Sequence, residues 1–115
     1  MQIAEETIEG VQVYKLSGRL DSNTSPDFET KIIQAIESGS HFFVIDFENL
    51  EYLSSAGLRV LLKATKALKG TKGRLVLCSM ADYIREVFEI SGFDTFLPIE
   101  QNLDEAIKKF GSSTP

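Results

Sequence analysis

The 115-residue chain has a single cysteine, a single histidine and a deficit of positive charge. The single cysteine, Cys78, cannot form an internal disulfide. One histidine, His41, one cysteine and scattered carboxylates do not form a cluster of metal ligands. Seventeen acidic against twelve basic residues give a net charge of -5, which repels nucleic-acid phosphates and anionic lipid. We therefore expect no metal, no cofactor and no direct contact with nucleic acid or a membrane.

The sequence also has no segment that resembles a signal peptide or a membrane span. Its start, Met1–Glu6, has neither a basic region nor an apolar run, and no later apolar stretch approaches transmembrane length. Its 43% hydrophobic residues are enough for one globular domain, predicted to cover residues 1–110 and to be a monomer when free. Residues 111–115 are polar and are predicted to form a disordered tail, and the whole protein is expected in the cytoplasm.

The spacing of the apolar residues predicts alternating strands and helices. Period-two alternation along Val11–Leu16, after a turn at Glu9 and Gly10, predicts an amino-terminal hairpin. The nearly continuous apolar run Phe42–Phe47 predicts a central strand covered on both faces. A helix is predicted with Ser25 as N-cap, Pro26 as its first residue and Gly39 as its stop, and a second helix runs from Ser55 to Gly70. A strand Arg74–Cys78 and a helix that ends at Gly92 follow. The last predicted elements are a short strand Thr95–Ile99 and a helix opened by a capping box at Asn102–Glu105. This order predicts an α/β fold with a mixed, mostly parallel sheet of four to five strands, an antiparallel amino-terminal edge and about four helices.

Two adjacent serines, Ser54 and Ser55, stand where a predicted strand passes into an amphipathic helix. A hydroxyl there faces the positive end of the helix dipole and its free N–H groups. The simplest interpretation is a helix cap, which needs only one serine and contributes about 1 kcal/mol. The small pair Ala56 and Gly57 keeps bulky side chains off the helix entrance, where a phosphoryl group or a partner backbone would approach. Because no base is available to activate either hydroxyl, we predict a serine that receives phosphate from another protein.

Three segments together resemble the STAS domain of bacterial anti-sigma factor antagonists, over about Val11 to Phe110 and without insertions. The segments are Gly18–Asp21 followed by Thr24, Phe43–Leu58, and Ser91–Phe93. The resemblance implies a STAS-like fold. It also implies a regulatory binding protein with no catalysis of its own.

The family places an Asp-Ser-Ser-Gly or Asp-Ser-Thr-Gly turn before the helix, and the first serine after the aspartate is phosphorylated. On this chain the aspartate position is Ser54, the phosphoacceptor is Ser55, the next position is Ala56 and the glycine is Gly57. The missing aspartate removes a carboxylate beside the acceptor. It also leaves Ser54 as a second-choice acceptor.

The implied function is a switch between binding partners. Unphosphorylated, the protein would bind a GHKL-type serine kinase that is an anti-sigma factor, and so release a sigma factor. Phosphorylation would end the binding, and a PPM-type serine phosphatase would restore it. The residues expected to contact the partner are Asp21, Ser22, Thr24, Ser54, Ser55, Ala56, Gly57 and Arg59.

Asp21 and Asp46 are expected at strand ends that border the serine turn. Asp21 is equally compatible with a turn-forming role and with a partner contact. Asp46 is expected to accept hydrogen bonds from backbone N–H groups at the exit of a buried strand. Neither residue is a catalytic candidate.

The sequence leaves alternatives to this function. A serine hydrolase is disfavoured, because its G-x-S-x-G turn is absent and His41 is expected at the opposite end of the strand from Ser55. STAS domains also serve as parts of anion transporters, as stressosome subunits and as accessory subunits of lipid transporters. The lipid-transporter role, or another partner-switching complex, stays open. Phosphorylation would distinguish the lipid-transporter role from the proposed switch, because the lipid-transporter role does not require phosphorylation.

Overall fold

A computed structural model of the protein describes residues 1–111. Its five strands form one sheet in the order β1-β2-β3-β4-β5. Strands β1 and β2 pair antiparallel, and every later pair is parallel. The strands are β1 (Gln2–Ile8), β2 (Val11–Leu20), β3 (Phe42–Leu53), β4 (Arg74–Cys78) and β5 (Ile99–Glu100). The predicted mixed sheet with an antiparallel amino-terminal edge is therefore confirmed.

Four helices cover the two faces of the sheet. They are α1 (Ser25–Glu37), α2 (Ser55–Lys69), α3 (Asp82–Ser91) and α4 (Leu103–Gly111), with a 3-10 turn at Phe93–Thr95. Helices α1, α2 and α3 bury their apolar stripes in one core, and α4 packs on the opposite face in a smaller one. Within residues 1–111, no helix has the length and hydropathy that a membrane crossing needs.

The central strand β3 is apolar on both faces because both faces are covered. Phe43, Ile45 and Phe47 are fully buried in the core beneath α1, α2 and α3, and Val44 is buried on the α4 face. Burying one such side chain stabilises the fold by about 1.5 to 3 kcal/mol. The packed sheet therefore holds the segment that follows β3, which begins at Ser54, in a fixed position.

The entry of α1 differs from the prediction. The N-cap residue is Thr24, and Ser25 is the first residue of the helix. The Ser25 hydroxyl donates to the Asp21 carbonyl at 2.6 Å, and the Ser25 amide donates to the same oxygen at 2.9 Å. The helix begins one residue early because Asp21 supplies the acceptor from the preceding loop.

The predicted strand Thr95–Ile99 is mostly wrong. The chain instead forms the 3-10 turn, in which the amides of Phe96 and Leu97 donate to the Phe93 carbonyl at 3.1 and 3.0 Å. Those backbone groups are satisfied locally, so only Ile99–Glu100 pairs with β4. At the carboxyl end, Gly111 is the last residue of α4, and the rest of the predicted tail lies outside the described residues.

Candidate functional site

The serine turn joins the end of β3 to the start of α2. Ser54 is the single residue between them, with an extended backbone at φ -99° and ψ 172°. Its amide donates to the Leu20 carbonyl at 2.9 Å, and its carbonyl accepts from the Leu58 amide at 3.2 Å. The turn is thereby fixed both to the end of β2 and to the first turn of α2.

The two serines occupy different environments. The Ser54 hydroxyl oxygen is buried and has no hydrogen-bond partner within the described chain, and it does not cap α2. Ser55, the first residue of α2, is exposed. The side-chain cap that the sequence allows is therefore absent. Of these two serines, Ser55 is the one that is exposed to solvent.

The first amides of α2 have no acceptor within the helix. In an α-helix the opening N–H groups precede the first carbonyl that is available to them. Here the Leu58 amide is the first to donate to a carbonyl four residues earlier, that of Ser54. The amides of Ser55, Ala56 and Gly57 therefore precede the first helical hydrogen bond. They supply a partial positive charge beside the exposed Ser55 hydroxyl.

Gly57 allows α2 to pack closely on the sheet. An added β-carbon would lie 2.8 Å from Leu20 Cγ, 2.8 Å from Leu53 Cδ1 and 2.9 Å from Leu20 Cδ2. These distances are below van der Waals contact, so any side chain at position 57 must displace a leucine or the helix. The glycine is required by this contact and not by a left-handed backbone.

Asp21 organises the loop between β2 and α1. Its Oδ1 accepts from the amides of Asn23 and Thr24 at 3.0 and 3.1 Å. The Thr24 hydroxyl accepts from the Asp21 amide at 2.9 Å and donates to the Arg19 carbonyl at 2.9 Å. Desolvation alone would raise the pKa of Asp21, but these hydrogen bonds and the Arg19 charge outweigh it and lower that pKa. The contacts account for Asp21 as a turn former.

The loop and the start of α2 form one continuous surface. Ser22 from the loop and Ala56 and Arg59 from α2 line a common shallow cavity of about 430 Å³. Ser22 and Arg59 are exposed, whereas Gly57 and the Ser54 hydroxyl lie beneath the surface. Three of the residues predicted to contact a partner, Ser22, Ala56 and Arg59, therefore line one cavity, and Gly57 is not accessible there.

The sequence did not identify a pair of exposed tyrosines near this surface. The Arg19 guanidinium lies 4.1 Å from the centre of the Tyr52 ring, and the Tyr83 hydroxyl donates to the Glu51 carbonyl at 3.0 Å. Tyr52 and Tyr83 are 41% and 58% exposed. Each tyrosine follows an acidic residue in the sequence, which is a weak signal, and the contact of Tyr52 with Arg19 depends on the pairing of β2 with β3.

Asp46 does not border the turn, contrary to expectation. It lies inside β3, which continues to Leu53, and it belongs to the face that α4 covers. Asp46 is 4% exposed, and its Oδ1 accepts from the Glu48 amide at 2.9 Å. The expected hydrogen bond to a backbone N–H is present, but the strand-end position is wrong because the strand is longer than its apolar run.

The remaining candidate groups are not gathered at the serine turn. His41 is exposed before the amino end of β3, at the opposite end of that strand. Burial raises the pKa of the Cys78 thiol to about 12. Among residues 1–111, no three His, Cys, Asp or Glu side chains are grouped in a way that would hold a metal ion.

Comparison with known proteins identifies the class of domain. The sequence model of the STAS domain family matches residues 2–106. The Bordetella bronchiseptica protein BtrV, provisionally named an anti-sigma factor antagonist, is 35% identical over 115 residues, which cover 100% of this chain and 99% of BtrV. The anti-sigma F factor antagonist of Paenibacillus polymyxa is 29% identical over 103 residues, which cover 89% of this chain and 88% of that protein. The chain belongs to the STAS domain family.

Solved structures agree with this assignment. The anti-sigma factor antagonist SpoIIAA in its unphosphorylated form is 26% identical with a TM-score of 0.75, over 94% of this chain and 96% of that one. The Bacillus SpoIIAA structure in the phosphorylated form has the same identity and TM-score, over 94% of this chain and 98% of that one. The predicted STAS-like fold is confirmed, and these relatives are named as regulators and not for an enzymatic reaction.

Proposed function

We propose that this protein is an anti-sigma factor antagonist that is switched by phosphorylation of Ser55. Unphosphorylated, it binds a GHKL-type serine kinase that acts as an anti-sigma factor, and the sigma factor is released. Transfer of phosphate from ATP to Ser55 by that kinase ends the binding. A PPM-type serine phosphatase removes the phosphate, and all catalysis belongs to these partners.

The observation that carries the proposal is the contrast between the two serines. Ser55 is exposed at the start of α2, whereas the Ser54 oxygen is buried and unpartnered. A kinase must bring the γ-phosphate of ATP in line with the attacking hydroxyl, which requires an accessible oxygen. Ser55 meets this requirement without rearrangement of the turn, and Ser54 does not.

The docking surface in this proposal consists of the cavity wall formed by Ser22, Ala56 and Arg59 and of the exposed Ser55, which precedes Ala56 in α2. A phosphate on Ser55 adds a charge of about -1.5 to -2. The free amides of α2 can donate hydrogen bonds to its oxygens without unfolding of the domain. In a contact with the kinase the same charge must be desolvated, which costs a few kcal/mol and lowers the affinity by about a hundredfold or more.

The test is to incubate the purified chain with the GHKL-type kinase encoded nearest to its gene, and with ATP, and to map the phosphorylated residue by mass spectrometry. We expect phosphate on Ser55, loss of the complex in a titration, and recovery after treatment with a PPM-type phosphatase. Ser55→Ala should bind the kinase but stay bound in the presence of ATP. Ser54→Ala, the matched control, should still be phosphorylated and released.

Two results would contradict the proposal. One is phosphate on Ser54 in place of Ser55, and the other is a phosphorylated protein with unchanged affinity for the kinase. If kinases of this type neither bind nor modify the chain, the accessory role in a lipid transporter becomes the better hypothesis, because that role does not require phosphorylation.

A further inference from the structure

A second concave surface runs along α2, away from the serine turn. It is a groove of about 470 Å³ between the second half of α2 and the 3-10 turn. Lys66 lies roughly 16 Å from Ser55 along the helix axis, at about 1.5 Å per residue. The groove is lined by Leu62, Thr65, Lys66, Lys69, Phe93 and Phe96. None of these residues belongs to the proposed kinase-binding surface.

One wall of the groove is apolar and held in place by the core. Leu62 and Phe93 are partly buried and pack against the main core, while Phe96 is 63% exposed. The Thr65 hydroxyl donates to the Leu61 carbonyl at 2.9 Å, so it is already engaged within the helix. An apolar, preformed concavity of this volume is typical of a site for a small ligand.

The polar rim carries positive charge without a carboxylate partner. Lys66 and Lys69 take part in no ion pair within the described chain. By contrast, Lys63 on the other flank of α2 pairs with Glu29 at 2.6 Å, and Lys31 beside another cavity pairs with Glu5. Two ammonium groups without ion pairs thus line one groove, in a protein whose net charge is -5.

We propose that this groove binds a small amphiphilic anion, namely a single carboxylate or phosphate on a hydrocarbon chain. The anionic head lies between the Lys66 and Lys69 ammonium groups, and the chain lies against Leu62, Phe93 and Phe96. Each methylene that leaves water contributes to binding, and the two cations fix the orientation. The inference is independent of the kinase switch.

The occupant is the free molecule and not the headgroup layer of a bilayer. The groove is a concavity that accommodates one chain, whereas a bilayer contact needs a broad basic face. Outside α2 the protein is strongly acidic, so its net charge of -5 opposes approach to an anionic membrane.

The first experiment is an amide NMR titration of the whole chain with decanoate below its micelle concentration. We expect a dissociation constant of about 1 mM, as is ordinary for a ligand of this size. The shift changes should lie in the second half of α2 and at residues 92–96. Acetate has the head without the chain, and decyltrimethylammonium has the chain with the opposite charge. Neither should bind with measurable affinity in this range.

Matched variants separate charge from apolar contact. The double variant Lys66→Gln/Lys69→Gln should weaken decanoate binding by at least about fivefold, and Phe96→Ala should do the same. Lys63→Gln and Ile90→Ala are the controls, because Lys63 lies on the other flank and Ile90 is 79% exposed without lining the groove. Both controls should bind decanoate like the unmodified protein, and melting temperatures should confirm that all four variants fold.

Three outcomes would overturn the proposal. The first is that decyltrimethylammonium binds as tightly as decanoate, which would show a hydrophobic patch without selectivity for charge. The second is that the lysine variants bind decanoate with unchanged affinity, which would remove the role of charge. Finally, sedimentation of the protein with anionic phospholipid vesicles, lost in the lysine variants, would assign the cations to a membrane surface.

Discussion

The substitution Gly57→Ala tests whether the close approach of α2 to the sheet positions the serine turn. A β-carbon at this position would lie 2.8 Å from atoms of both Leu20 and Leu53, which are 0% and 7% exposed. Neither leucine can turn into solvent without leaving a cavity in the core. We therefore expect the first turn of α2 to shift away from β2 and β3.

Two opposing effects determine how much Gly57→Ala changes the free energy of unfolding. Alanine is the better helix former by about 0.8 to 1 kcal/mol, so propensity alone would stabilise the variant. Overpacking a closed core costs about 1 to 3 kcal/mol, and contacts with three atoms of two buried side chains favour the upper end of that range. The net expectation is a loss of about 2 kcal/mol, which for a domain of this size lowers the melting temperature by about 8 °C.

Urea unfolding followed by circular dichroism measures the loss, and Gly70→Ala is the matched control. Position 70 has open space around it and a φ of -75°, so alanine there should be neutral or slightly stabilising. Adding Leu20→Ala to Gly57→Ala should cost less than the sum of the two single changes, because the shortened side chain makes room for the β-carbon. The steric reasoning is refuted if Gly57→Ala is as stable as Gly70→Ala.

Three further predictions concern single side chains. Arg59→Glu should weaken kinase binding with little change in melting temperature, because Arg59 is exposed and has no ion pair in the described chain. Unchanged affinity in a titration would place the docking face elsewhere. Cys78 should resist a thiol reagent at pH 8 until the protein unfolds, since burial raises its pKa to about 12, and rapid labelling of the folded protein would contradict this. The pKa of Asp21 should lie below the ordinary aspartate value in a carbon-13 NMR titration, because its hydrogen bonds outweigh desolvation. The stability that this carboxylate contributes should be present above its unfolded pKa and be lost as the pH falls through the folded one, and Asp21→Asn should remove that part of the acid sensitivity.

Local patterns predicted the elements whose cause is local. The apolar run Phe42–Phe47 predicts a strand buried on both faces because both sides of the chain must be covered, and this is what β3 is. The predicted hairpin turn at Glu9 and Gly10 is present, and Gly10 suits the positive φ that it adopts there. Gly92 likewise ends α3 with a left-handed cap.

Features that depend on neighbours distant in sequence were less accessible. The Ser54 amide is held by the Leu20 carbonyl, which no pattern around position 54 can reveal. Arg19 and Tyr52 meet only because they are partners in the pairing of β2 with β3, so this cation–π contact also depends on residues distant in sequence.

The serine at position 54 affects how a phosphate on Ser55 would be accommodated. The Ser54 oxygen is buried without a donor, so a carboxylate in its place would be left desolvated and unpaired, or would have to turn outward toward the helix amides. Serine is neutral, so it avoids that cost and leaves no negative charge next to position 55. A phosphate on Ser55 would then face the free amides of α2 and, one helical turn further on, the Arg59 side chain. Both interactions favour the modified state of the isolated domain. The energy that separates the two states of the proposed switch must therefore arise at the contact with the partner, where the same groups are covered and the added charge loses its water.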